Sequence, residues 1–319
     1  MAGIRTSTQR QQSNDVVTAT AAATVGRPGR LRRIASHIAL IAAAVLAASC
    51  GDVNAALAQL SNARHLSADL HVQFMKAAGA TDRAVMADTD EASVAFAREA
   101  EEATQAVQHD VDQLAPILAG LKYTDEAALL QRFTGQFATY RELDRRILDL
   151  AVQNTNLKAQ RLSFGPAQDA ADAVKAALDA VTPTNPGAGW NVTALTARAV
   201  VAVREIQVLQ APHIADPDDA SMARIETEMS TAEAAARNAL RSLAPLVAPG
   251  SRQQVTTASK SLDTFMALNA QIVGLSRKNT NVRSLALSLD EKRKLTAPCE
   301  DSLRSLEAAL TKRGYPAGR

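Results

Sequence analysis

Aromatic side chains are scarce in this chain: Phe, Tyr and Trp together make up 3% of its 319 residues. Sheet cores lean on aromatic and β-branched residues, so the scarcity argues against a β-sandwich or barrel. Cysteine is scarcer still. Cys50 and Cys299 are the two present, too few for a disulfide framework. No glycine-rich phosphate loop, no G-x-S-x-G turn and no paired-carboxylate constellation occurs, which removes the usual grounds for proposing an enzyme. Charge of either sign is not in excess, with a net value of +2. That value is unevenly spread: residues 1–49 carry six Arg against one Asp, and the remainder is slightly acidic. A slightly acidic body gives no electrostatic case for nucleic-acid binding. After Ser49 no apolar run is long enough to span a bilayer.

What is present is a repeat. Residues 140–164 read YRELDRRILDLAVQNTNLKAQRLSF, and residues 265–289 read FMALNAQIVGLSRKNTNVRSLALSL. The offset is 125 residues, and 8 of the 25 positions are identical. Spacings of three and four place Tyr140, Leu143, Ile147, Leu150, Asn154, Leu157, Arg161 and Phe164 on one helical stripe. The second copy places Phe265, Leu268, Ile272, Leu275, Asn279, Val282, Ala286 and Leu289 on the same stripe. A shorter motif, Leu114-Ala115-Pro116, recurs as Leu243-Ala244-Pro245, with the changed offset absorbed in a loop. Helices in register with length changes in loops are what tandem duplication leaves.

The first 49 residues read as an export signal with a basic n-region. GRPGRLRR precedes an apolar run from Ile34 to Ser49, and small residues stand before Cys50. Sixteen residues rise about 24 Å as a helix, short of the hydrocarbon thickness. Cys50-Gly51 resembles a bacterial lipoprotein cleavage site, which makes Cys50 the expected lipidation site and the membrane anchor. Arg32-Arg33 also fits a twin-arginine signal. Cleavage without a lipid, giving a secreted soluble protein, and an uncleaved inner-membrane anchor formed by 34–49 are the alternatives.

Beyond the leader the pattern predicts an all-α fold of two tandem antiparallel four-helix bundles, residues 50–182 and 191–313, with a tail at 314–319. TPTNPGAG, within the linker 183–190 and its preceding Thr182, holds two prolines and two glycines and divides them. In the first half the helices are expected at about Asp52–Asp88, from Thr89 or Asp90 to Gly120, from Thr124 to Gly165-Pro166, and Ala167–Val181. The second half repeats that order. A unit of this length suits a four-helix bundle better than a helical-pair solenoid.

The motif L-x3-I-hydrophobic-x-L-x3-N-T-N, with Met86-Ala87-Asp88-Thr89-Asp90 upstream, resembles the four-helix-bundle ligand-binding domain of bacterial methyl-accepting chemotaxis receptors. The resemblance covers about residues 55–182 and again 191–312. It implies a non-catalytic extracytoplasmic sensor domain that binds a small molecule or a membrane protein partner. The membrane helices and cytoplasmic signalling half of such receptors have no counterpart here. The alternative class is an envelope scaffold that works through protein contacts. Helix packing also allows a homodimer.

Three residues are candidate ligand contacts: Asn154 and Asn279, polar interruptions of apolar stripes, and Arg161, whose planar guanidinium suits a carboxylate. The competing reading makes the asparagines register-setting core residues and Arg161 a surface residue. His65, His71, Met75 and His109 raise a metal reading, but no zinc or haem spacing accompanies them, so neither metal nor cofactor is expected. Cys299 reads as a lone buried or half-buried thiol.

Overall fold

The computed structural model describes the backbone of residues 31–314 and the side chains of residues 54–314. The export-signal reading of 1–49 therefore falls mostly outside the described residues, and the side chain of Cys50 lies outside them. Of the described residues, 56–314 form one compact unit. Among the described residues there are helices and no strand; one isolated bridge joins Pro183 to Val247. No helix among them is long and apolar enough to cross a membrane.

Ten α-helices follow in order: α1 (Leu31–Met86), α2 (Asp90–Gly120), α3 (Thr124–Ala151), α4 (Thr155–Leu162), α5 (Gln168–Asp179), α6 (Gly189–Ala215), α7 (Asp219–Leu243), α8 (Arg252–Lys278), α9 (Thr280–Leu287) and α10 (Arg293–Lys312). Their starts are chemically marked. Thr89 accepts a hydrogen bond from the Ala92 N–H at 3.1 Å, and Asp218 accepts one from Ser221 at 2.7 Å, so each caps its helix.

The long third helix expected in each half is broken. Asn154 (φ 51°, ψ 39°) and Asn279 (φ 54°, ψ 37°) are left-handed. Asn is the residue, after Gly, that most readily enters this region, and one such residue ends a right-handed helix. The chain therefore changes course there and not at Gly165-Pro166. Gly165 and Pro166 lie inside a π-helical turn, Ser163–Ala167, that joins α4 to α5. Pro lacks the N–H that an α-helix would use, and a widened turn tolerates the loss. An equivalent π turn, Ser288–Lys292, joins α9 to α10 at the same 125-residue offset with no proline in it, so the widening belongs to the repeat and not to Pro166. Past the break the stripe no longer faces inward: Phe164 is 73% exposed and Leu289 60%, which corrects their expected core positions.

The helices that share a core are not those of one repeat. One core unites Leu70 and Phe74 of α1, Val107 and Leu114 of α2, Phe133, Phe137 and Tyr140 of α3, and Leu303 and Leu306 of α10. The other unites Ala159 of α4, Val174 and Leu178 of α5, and buried residues of α6, α7 and α8. Accordingly α10 and α9 lie along α3, while α4 and α5 lie along α8. Each repeat lends its last segment to the other. The expectation that 50–182 and 191–313 each close a bundle of their own is corrected on this point. The cause is the left-handed residue that redirects the chain at each crossing.

The scarce aromatics are concentrated. Phe74 meets Phe133 and Tyr140 edge-on at centroid distances of 5.9 and 5.1 Å, and Phe137 stacks on Phe133 at 5.5 Å. The borrowed α10 is tied down at its far end. Arg313 donates twice to the buried Glu126 carboxylate, at 2.7 and 2.8 Å, and holds that carboxyl below its ordinary pKa. Arg64 of α1 donates to the last carbonyls, Leu310 O at 3.0 Å among them.

Candidate ligand-binding grooves

The crossing of the two chains is built from the twin Asn-Thr-Asn motifs. Thr155 N–H donates to Thr280 Oγ1 and Thr280 N–H to Thr155 Oγ1, each at 3.2 Å. Asn156 N–H donates to Asn281 Oδ1 and Asn281 N–H to Asn156 Oδ1, each at 3.1 Å. These N–H groups open α4 and α9 and have no partner within their own helix, so each repeat caps the other. Asn279 Oδ1 accepts from Asn156 Nδ2 at 2.8 Å, and its own Nδ2 donates to Asp216 O at 2.8 Å. Asn154 Oδ1 accepts from Asn281 Nδ2 at 3.0 Å. Asn154 and Asn279 are thus buried together in a structural joint, away from either groove described below. Arg161 is on the surface, donating to Asp90 at 3.3 Å and to Asp88 O at 3.4 Å, where it clips α4 to the start of α2. The structure brings the two asparagines close and leaves Arg161 outside their joint.

The histidines are dispersed. His65 pairs with Asp69 at 2.7 Å, His71 with Glu307 at 3.0 Å, and His109 with Gln113 at 2.8 Å. Met75 is exposed. Among the described residues no group of three or more His, Cys, Asp or Glu side chains is placed to hold a metal. Cys299 is buried, and burial with the neighbouring Glu300 pushes its thiol pKa up to about 12.

A concavity of about 680 Å³ lies between α2 and α3. Glu101, Thr104 and Gln108 come from α2; Arg141, Glu142, Asp144, Arg145 and Leu148 come from α3. A small ligand fits a space of that size. Arg141 and Arg145 are one helical turn apart, so both guanidinium groups rise on the same side. Neither is in an ion pair with a described residue. Asp144 sits between them in sequence and is 3% exposed. Tyr140 Oη donates to its Oδ1 and Thr81 Oγ1 to its Oδ2, both at 3.1 Å. Burial raises the Asp144 pKa; the Lys292 ammonium and the two hydroxyl donors pull it down without cancelling the rise. The same burial, with Asp144 beside it, drives the Tyr140 hydroxyl well above its ordinary value. Lys292, on the borrowed π turn, is itself buried and donates to Ala78 O at 2.6 Å and Asp82 at 2.7 Å.

A second groove, about 400 Å³, lies between α7 and α8. It occupies the corresponding place in the other repeat: Asn269 stands for Asp144, Met266 for Arg141, Ala270 for Arg145 and Val273 for Leu148. Its floor is neutral. Gln210 Nε2 donates to Asn269 Oδ1 at 2.9 Å, and Ser163 Oγ of the other repeat donates to Gln210 Oε1 at 2.7 Å. At its rim Glu226 takes the Arg277 guanidinium at 2.6 Å and the buried His213 ring at 2.9 Å, and the Arg277 bond chiefly lowers the carboxyl pKa. The two grooves share a position and differ in charge. The first holds Arg141 and Arg145, free of ion pairs with described residues, beside a buried carboxylate; the second has no Arg or Lys in its lining, and its carboxylates Glu226 and Glu233 are already paired with Arg277 and Arg237. Charged residues on α3 look like a solvated face in isolation. Only the alignment of the two copies separates Asp144, Arg141 and Arg145 from ordinary surface.

No protein family, no curated protein and no solved structure matches the chain.

Proposed function

We propose that the chain is a non-catalytic, sensor-like binding protein whose small-molecule site is the groove between α2 and α3. The observation that carries the reading is the placement of two unpaired guanidinium groups, Arg141 and Arg145, beside the buried carboxylate of Asp144 in the larger groove. A site with both signs of charge suits a small molecule that carries an anionic and a cationic group. The planar guanidinium grips a carboxylate, and the desolvated Asp144 receives an ammonium. The neutral second groove supports the assignment by contrast, since the same backbone does not need charge there. The chemotaxis-receptor resemblance of the Asn-Thr-Asn segments points to the same class of activity. An export signal and a lipid on Cys50 remain part of this proposal and would place the protein at the cell envelope. Incorporation of a fatty-acid label into wild type and not into Cys50→Ser tests the anchor.

The ligand is tested by a thermal-shift screen of amino acids, organic acids and aromatic acids. A compound that binds only the folded form raises the melting temperature, by a free energy of about 2.7 kcal/mol at a hundred times its Kd. The expected result is a shift in wild type that Arg145→Ala abolishes and Arg161→Ala leaves intact. A second reading, a scaffold acting through protein contacts, is favoured by the exposed apolar side chains of α6. Absence of any shift at millimolar ligand decides for the scaffold.

A further inference from the structure

Helix α6 has two apolar faces. One is buried in the second core through Val192, Ala199, Val203 and Ile206. Opposite it, Trp190 is 81% exposed, Val201 63% and Val208 73%, and Ala194 is exposed between them. At 100° per residue these four positions and Pro212 fall within about 20° of a single line. Arg198 and Glu205 are both exposed, seven residues apart on one flank of that line, and neither is in an ion pair with a described residue. On the other flank, Arg204 is already engaged by Asp172 and Gln207.

We infer that this face binds a second copy of the chain, the two α6 helices packing antiparallel about a two-fold axis at Val201. Such an axis sets Val201 against itself, Ala194 against Val208 of the second copy, and Trp190 against Pro212. The small residue meets the larger one, and the indole closes each end. A two-fold axis of this kind keeps like flank beside like flank with the direction reversed. Arg198 then comes within one residue's rise of Glu205 of the second copy, and Glu205 of Arg198. Parallel pairing about a two-fold axis would instead lay this flank beside the opposite one, where Arg198 faces no carboxylate and the guanidinium nearest Glu205, that of Arg204, is already engaged by Asp172. The charge pattern therefore complements itself in the antiparallel orientation alone, which points to a second copy. The stripe is about 33 Å long. One helix pair of that length lies at the small end of specific interfaces, so the dimer dissociates on the order of micromolar concentration. This inference is independent of the ligand groove.

Sedimentation velocity of the full chain, carrying Cys50→Ser throughout so that neither acyl group nor Cys50 disulfide contributes, tests it. Wild type is expected to pass from monomer to dimer through the micromolar range. Val201→Glu, which sets two carboxylates on the axis, is expected to stay monomeric with unchanged helical circular dichroism. Arg198→Glu and Glu205→Arg each weaken association about tenfold, and the double variant restores it. A chain that stays monomeric at roughly a hundredfold above micromolar overturns the inference. So does a dimer indifferent to Val201→Glu, or a double variant no better than either single one.

Discussion

At Asp144 burial and charge oppose one another, and the balance is readable as a pH effect. Its folded-state pKa is raised, chiefly by desolvation, despite the Lys292 ammonium and the donors Thr81 and Tyr140. A carboxyl that holds its proton more tightly when folded favours the folded state under acid conditions. That contribution is lost as pH rises from the ordinary carboxylate range, about 4, through the higher folded value. Above that window the ionised Asp144 weighs against the fold. Asn269 at the equivalent position shows what the backbone accepts without the charge. Asp144→Asn is therefore expected to melt higher than wild type at neutral pH in the absence of ligand and no higher below about pH 4. The difference should open with rising pH across that window. The Asn side chain fits the existing donors: its amide can donate to Thr81 Oγ1, whose own proton turns to Ala77 O, 3.1 Å away. Melting curves of both proteins between acid and neutral pH check this, and a pH-independent difference would contradict it. A higher melting temperature at neutral pH would mark Asp144 as a residue kept at a cost to stability, as a binding role requires.

At the scale of helices, the decisive elements are the two breaks at Asn154 and Asn279. A left-handed L-residue costs about 1–2 kcal/mol, and a buried polar group left unpaired about 1–3 kcal/mol. Asn279→Ala incurs both, since Asp216 O loses its donor. It is expected to destabilise the fold by about 2–5 kcal/mol in urea unfolding. Asn279→Gly keeps the backbone freedom and loses only the hydrogen bonds, so it should cost about 1–2 kcal/mol less than the alanine variant. Equal losses for the two would show that the left-handed turn carries no strain. These breaks also mark where the sequence stops being legible. Up to them the three-and-four spacing identifies most of the inward residues: Tyr140, Leu143 and Ile147, and Phe265 and Ile272, are buried, whereas Leu150, Leu268 and Leu275 are half-buried and Asp144, Asn269 and Ser276, off the stripe, are buried. An asparagine inside an unbroken helical pattern looks like a polar core residue, so nothing in the spacing announces a left-handed turn. Beyond it a new face turns inward, through Ala159, Ser163 and Ala167, and Phe164 is turned out. The exchange of segments is invisible for a related reason. Periodicity tells which face is buried but not against which copy, and two copies with the same pattern offer equivalent partners. The groove residues were hidden because Arg141 and Arg145 have the spacing of any solvated helix face; their replacement by Met266 and Ala270 is the trace they leave.

At the scale of the molecule, the exchange determines how stability is shared. There are two principal hydrophobic clusters, yet each contains helices from both repeats, and the joint of Thr155, Asn156, Thr280 and Asn281 serves both at once. Neither core can lose its structure while the other keeps a full set of helices. If the first core melts, α10 and α9 lose their seat along α3, and the caps they give α4 go with them. The second core then loses the anchored start of its own borrowed segment. Residues 56–314 are accordingly expected to unfold in one cooperative step, with calorimetric and van't Hoff enthalpies equal. Phe133→Ala empties a position at the centre of the aromatic cluster, where the ring is fully buried and meets Phe74 and Phe137. It should cost about 3–5 kcal/mol. The informative readout lies in the other core: amide protection of α6 and α7, which Phe133 does not touch, should fall by the same free energy as that of α2 and α3, because all four exchange through the same global opening. Two resolved melting transitions, or α6 and α7 protection left at its wild-type value, would mean that the bundles are separable and that the swapped segments contribute little to holding them together.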